Sequence, residues 1–212
     1  VSNIKKFIVF EGLDGSGTST QAELLRAHLE KISEPARLTT EPSDGLIGNI
    51  IRHAMNKRII FTEDKEIYDR QMAYLFAADR HDHLYSKNGI IEMKERFNVI
   101  CTRYYFSSFA YNCDNASYFD FIKRLNADFP APDLCIYLKI SPEIAVQRIA
   151  KRDQLEIYEK LEKLKSVSDN YDQLFLAYKE KHIIIDAEKS IDTVHNEVCN
   201  FVLQNLTQSK AL

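Results

Sequence analysis

The sequence predicts an α/β fold, a five-stranded parallel sheet flanked by helices in three α/β/α layers. Three observations carry that reading. Short apolar runs recur at Lys6 to Phe10, Ala36 to Thr39, Asn98 to Cys101, Leu134 to Leu138 and His182 to Ile185. Several are unbroken Ile/Val/Phe/Leu, the composition of strands covered on both faces. Between them lie longer segments with helical patterning, and such alternation favours a parallel sheet wrapped by helices. Finally, a glycine-rich turn joins the first run to a helical segment.

That turn is Gly12-Leu13-Asp14-Gly15-Ser16-Gly17-Thr18-Ser19-Thr20, opening into a helix over Gln21 to Ile32. Gly12 and Gly17 flank four residues, the spacing of a phosphate-binding loop that ends in Lys and Ser/Thr. Glycines let successive N–H groups point inward, and the helix N-terminus adds partial positive charge. Ser19 holds the position that ligates Mg²⁺ in such loops. Thr18 stands where the lysine is expected, so the cation that reaches the β- and γ-phosphates is missing.

The next helical segment, Asp64 to Tyr85, contains Leu75-Phe76-Ala77-Ala78-Asp79-Arg80. Phe76 and Arg80 are four apart and share a helix face. A ring beside a guanidinium suits a nucleobase, although Phe76 by its type and neighbours suits a core position as well. Arg103 then leaves the third run at its C-terminal end, where open α/β sheets collect ligands. If the residues after it are helical, Ser108, Tyr111 and Asn112 fall on one face and offer a polar edge with an aromatic wall. Farther on, Ser141-Pro142 is a helix start for Pro142 to Arg152, with Ser as cap and Pro in the first turn. A last long helix is predicted over Leu155 to Tyr178.

These segments together resemble the thymidylate kinases. Glu11 with its loop, Thr39-Thr40-Glu41-Pro42, Ile47-Gly48 through Arg52, Leu75 to Arg80 and Arg103 to Asn112 occur in that family's order. Pro132-Asp133-Leu134, Ser141-Pro142-Glu143 and Gln147-Arg148-Ile149 continue the match over nearly the whole chain. The resemblance implies a P-loop kinase with a small helical lid over about residues 148–160, moving the γ-phosphoryl of ATP to dTMP with Mg²⁺, as a homodimer. It implies that Phe76 stacks on thymine, Arg80 bonds its exocyclic oxygen, and Ser108 and Asn112 contact the base edge. Tyr111 would press on the sugar, while Arg52 and Arg103 would hold the acceptor phosphate. Asp14 and Glu41 would organise the metal and acceptor region, and Arg148, Lys151 and Arg152 would begin the lid. Arg148 or Arg152, four apart, would then replace the missing loop charge. Three positions depart from the family pattern: Thr18 for lysine, Thr102 for the aspartate before the arginine, and Thr40 for an arginine. A kinase for dUMP or another pyrimidine monophosphate, and a non-catalytic nucleotide-binding homologue, are the competing readings.

Composition bounds the rest. A chain of 212 residues suffices for one sizeable α/β domain. The net charge of −3 gives no general attraction to nucleic acid or anionic membrane. There is no apolar run near the ~18 residues a membrane span needs, nor an N-terminal signal-like run. The four cysteines, Cys101, Cys113, Cys135 and Cys199, lack metal-ligand spacing in sequence and suit a reducing, cytoplasmic setting.

Overall fold

A computed structural model describes residues 4–112, 116–149 and 154–207, without the side chains of 116, 154–160 and 207. The five strands are β1 (Phe7–Gly12), β2 (Ala36–Thr40), β3 (Asn98–Thr102), β4 (Leu134–Lys139) and β5 (His182–Asp186). They form one sheet in the order β2-β3-β1-β4-β5, with every pairing parallel. The central strands β1 and β3 are buried at every residue, which explains their unbroken apolar runs. The edge strands β2 and β5 are partly exposed, including Leu38 and Ile184.

The helices are α1 (Thr18–Lys31), α2 (Leu46–Met55), α3 (Lys65–Tyr85), α4 (Ile90–Met93), α5 (Tyr105–Asn112), α6 (Ala116–Asn126), α7 (Pro142–Ile149), α8 (Gln154–Ala177) and α9 (Ile191–Thr207). Helices α1 and α9 pack together beside the sheet, while α5 packs on β1 and on α8. Phe175 of α8 stacks on Tyr137 of β4 with ring centroids 4.7 Å apart. Asp64 caps α3 by accepting a 2.9 Å bond from the Ile67 amide.

Strand and helix positions follow the sequence pattern, with instructive differences at their ends. β1 runs two residues beyond the apolar stretch because Glu11 and Gly12 keep register with Tyr137 and Leu138. α1 starts at Thr18, earlier than expected, because Gly17 at φ 90° turns the chain directly into the helix. The expected helix after Ser141 ends at Ile149, and 150–153 lie outside the described residues. Lys151, Arg152 and Cys113 lie outside the described residues, while positions 154–160 of the expected lid form the first turns of α8. Cys101, Cys135 and Cys199 are free and buried. Among the described residues no helix is long and apolar enough to cross a membrane.

Candidate active site

The register brings three strand ends together. Thr40 pairs with Thr102 across β2 and β3, and Phe10 pairs with Thr102 across β1 and β3. The turns after β1, β2 and β3 therefore open side by side at the carboxyl edge of the sheet, where α/β folds bind ligands.

After β1, the Ser16 amide bonds the Leu13 carbonyl at 3.0 Å and tightens the glycine turn. Gly15 lies at φ 86°, and a Cβ there would come within 2.8 Å of the Ala145 carbonyl oxygen. No side chain caps α1, so the amides of its first turn remain available to an anion. This loop lines a cleft of about 560 Å³ together with Arg148, Lys189, Ile191 and Val194. Arg148 donates to the carbonyls of Gly15 at 3.3 Å and Ala187 at 3.1 Å, bracing the loop from the outside.

After β3, Arg103 adopts φ 68°, a left-handed conformation that is strained for a side-chain-bearing residue. Its guanidinium donates to Asp14 Oδ1 at 2.6 Å, Ser107 Oγ at 3.1 Å and Tyr111 OH at 3.3 Å. The corner is anchored from below by Glu11, which is wholly buried. Glu11 accepts from the Tyr104 amide at 2.7 Å, Ser107 Oγ at 2.8 Å and Tyr171 OH at 2.8 Å. Burial raises the Glu11 pKa above the usual carboxylate range, against the lowering effects of Arg103 and those hydrogen bonds. Sequence reading had Glu11 only as a family mark; a single charge ending a Phe-Ile-Val-Phe strand was the available signal.

A second cleft, about 440 Å³, opens between this corner and α3. Phe76, Arg80, Ser108, Tyr111 and Asn112 all line it, so the two helix faces read from spacing converge on one space. Phe76 also packs against the small core of Ile51, Ala54 and Met72, so it is at once a core residue and part of the cleft wall. Arg80 is 1% exposed and its charge is already matched. Its Nε and Nη2 donate to Glu41 Oε2 at 2.9 and 2.6 Å, and Nη1 donates to Asn126. Next to it, Asp79 accepts from the amide and hydroxyl of Ser43 at 2.7 and 2.6 Å. Arg52 stands apart from the lining: its guanidinium clamps the carbonyls of Pro42 and Ser43, each at 2.6 Å, and so holds the turn after Glu41.

The two clefts share Asp14, Thr18, Ser19 and Arg103. One is lined by the glycine loop and the first turn of α1; the other offers a ring, buried charge and polar helix edge. A family model described as Thymidylate kinase matches residues 10–198 of the sequence. The chain belongs to the thymidylate kinase family. It is 39% identical over 197 residues to a Methanocaldococcus jannaschii protein named "Probable thymidylate kinase", covering 92% of this chain and 95% of that protein. Proteins of the same name from Methanococcus aeolicus and Pyrococcus abyssi are 37% and 35% identical, covering 92% and 94% of this chain and 94% and 97% of their own lengths.

Against the thymidylate kinase pattern, two of the three departures meet. Thr102 donates through its hydroxyl to Thr40 Oγ1 at 2.8 Å, and Thr40 donates to the Thr102 carbonyl at 3.2 Å. A neutral hydroxyl pair thus occupies the place of an aspartate and an arginine. Among the described residues Thr18 has no such exchange partner, but Lys163 of α8 lines the same cleft as Thr18 and Asp14. That lysine, 145 positions downstream, carried no signal in sequence.

Proposed function

We propose that this thymidylate kinase family member transfers the γ-phosphoryl of ATP to dTMP, giving dTDP and ADP, as a step towards dTTP. The observation that carries the proposal is the shared wall of Asp14, Thr18, Ser19 and Arg103 between a phosphate-loop cleft and a base-sized cleft. ATP then occupies the first cleft with its phosphates on the α1 amides, and dTMP the second with its phosphate towards Arg103. Phe76 stacks on thymine, while Arg80, Ser108 and Asn112 face the base edge and Tyr111 the sugar.

An oxygen of the dTMP phosphate attacks the γ-phosphorus as the bond from that phosphorus to the β,γ-bridging oxygen breaks, and ADP leaves with the electron pair. The nucleophile is already an anion, so no strong general base is required. The protein's task is in-line placement and relief of repulsion between two anions. Arg103, fixed by Asp14, Ser107 and Tyr111, is placed for that task. Lys163, which lines the acceptor cleft with Thr18 and Asp14, is our candidate for the charge that Thr18 lacks; Arg148 lines the phosphate-loop cleft with Lys189 and braces Gly15, and Arg152 lies outside the described residues.

Asp14 keeps Oδ2 without a hydrogen bond among the described residues, and Ser19 is exposed beside it; both are hard oxygen donors of the kind Mg²⁺ prefers. Mg²⁺ bound there would draw charge from the triphosphate. A homodimer and a cytoplasmic location belong to the same proposal, on family membership alone.

The test is ADP release from Mg-ATP with dTMP, dUMP, UMP, CMP and AMP in parallel. Turnover with dTMP well above the others is expected. Preference for another pyrimidine would reassign the acceptor, and nucleotide binding without turnover would reassign the chain as non-catalytic.

A further inference from the structure

On the side of α1 away from the acceptor cleft, His28 in its last turn faces His195 and Cys199 of α9. His195 and Cys199 are four apart and so share one helix face. One donor atom from each of the three residues lies within 4.8 Å of the other two. Cys199 Sγ is 3.4 Å from His195 Nε2, and the two imidazole rings meet edge to face with centroids 5.8 Å apart. His28 Nε2 is buried and has no hydrogen-bond partner among the described residues. A buried nitrogen lone pair or N–H without a partner is costly, so a ligand there would repair a real deficit.

We propose that His28, His195 and Cys199 form a site for a borderline-soft divalent transition ion such as Zn²⁺, clipping α1 to α9. Two imidazoles and a thiolate are a zinc-type donor set, with a fourth position left for water. Tetrahedral zinc with bonds of ~2.0–2.3 Å places its ligand atoms about 3.3–3.6 Å apart. The Sγ–Nε2 separation already matches, and the remaining donors need only small side-chain adjustments to close. Mg²⁺ prefers oxygen ligands and would not compete. Binding exchanges the Cys199 S–H bond for an S–metal bond, with the proton released to solvent. Burial pushes the free thiol up to about 11, so the apo site holds a thiol until metal displaces the proton. Burial and the neighbouring His28 hold His195 below the usual imidazole value, in the neutral form that binds metal.

The clip would act behind the donor cleft. α1 begins at the phosphate loop, and Gln21 Nε2 donates to the Ile191 carbonyl at 2.9 Å where α9 begins. Ile191 and Val194 line the phosphate-loop cleft. Metal one to two turns along α9 from that contact, on the last turn of α1, would fix the distance between the two walls of that cleft.

The experiment uses the full chain, freed of metal with chelator and without nucleotide. Titration with Co²⁺ should give a thiolate-to-cobalt charge-transfer band saturating at one ion per chain, and Zn²⁺ should displace it and raise the melting temperature. Excess Mg²⁺ should leave both unchanged. Cys199→Ser should abolish the band, and His28→Asn should weaken Zn²⁺ binding by about 100-fold or more, beyond the loss typical of an outer-shell change. Circular dichroism checks each variant, and if one fails to fold the other decides. Absence of the cobalt band in the unmodified chain, Zn²⁺ binding equally tight in the folded variants, or displacement by Mg²⁺ would each overturn the proposal.

Discussion

The two clefts are built by opposite means. On the donor side the loop presents backbone amides and the exposed side chains of Ser19 and Thr20, with no side chain capping the helix. On the acceptor side Glu41, Asp79 and Arg80 are 4%, 1% and 1% exposed, and each is bonded to a partner within the protein. The donor cleft therefore meets the ligand's charge with backbone amides and with the cations along its wall, Arg103, Arg148 and Lys189. The acceptor cleft has its charges desolvated and oriented beforehand, at a folding cost that their pairing offsets. Arg103 belongs to both, and removing it should separate the two designs most sharply.

Arg103→Gly keeps the left-handed backbone accessible while it removes the guanidinium, and it relieves the local strain at the same time. Turnover should fall about 10³-fold, at the upper range for loss of one transition-state donor. The melting temperature should change little. Arg103→Lys should rescue poorly, since one ammonium cannot span Asp14, Ser107 and Tyr111 as the fork does.

Arg80→Met tests the buried half. It leaves Glu41 charged and unpaired, which should cost about 3–5 kcal/mol in urea unfolding. In protein that remains folded at low temperature, KM for dTMP should rise while KM for ATP stays within about twofold. An equal rise in both would show that the acceptor cleft is not an independent, prebuilt unit.

The donor half is tested by a cycle between Thr18 and Lys163. Lys163→Ala should lower turnover about 100-fold if its ammonium supplies the missing loop charge. Thr18→Lys should make the same Lys163 change nearly silent. Additive effects in the double variant would mean that the two positions act separately, and that the charge comes from elsewhere.

These contrasts also mark what could be read in the sequence. Strands β1 and β3 were legible because both faces are buried, so their composition needs no partner to interpret. Phe76 with Arg80, and Ser108 with Tyr111 and Asn112, were legible because helix spacing alone puts them on common faces. Helices α6 and α9 were not singled out, being amphipathic segments outside the motif-bearing stretches. The pairing of Arg80 with Glu41, 39 residues away, and of Thr102 with Thr40, 62 away, depends on strand order, which one sequence does not display. The same holds for Lys163 beside Thr18. The clamp of Arg52 on the Pro42 and Ser43 carbonyls likewise needs the folded turn and has no signal in sequence.

Glu11 links the halves from beneath, and its replacement should have a milder and pH-dependent effect. Glu11→Gln keeps the shape but has one acceptor oxygen, so it cannot serve both the Tyr104 amide on one side and Ser107 with Tyr171 on the other, and turnover should drop about tenfold as the Arg103 corner loosens. The sign for stability runs the other way. Because the folded-state pKa is raised, the folded protein holds the proton more tightly than the unfolded chain. The stabilising share of Glu11 is therefore present at low pH and is lost as pH rises from the ordinary carboxylate range through the raised value. Urea unfolding across that window should show wild type losing stability relative to Glu11→Gln as pH increases.

The smallest net change is expected where two departures already compensate. Thr40 and Thr102 are neutral and bonded to each other, so restoring only one family charge, as in Thr102→Asp, puts an unpaired anion at a site 7% exposed. That should cost about 3 kcal/mol. Adding Thr40→Arg supplies the partner, and the double variant should return to within about 1 kcal/mol of wild type, since a buried ion pair and a neutral pair of matched shape are often near-equal. The recovered energy is the coupling between the positions, read from a four-member unfolding cycle. A large coupling would make positions 40 and 102 one exchange of chemistry across two strands, leaving Thr18 as the departure that demands a substitute from outside its own turn. No coupling would place all three on the same footing and remove the asymmetry between the clefts.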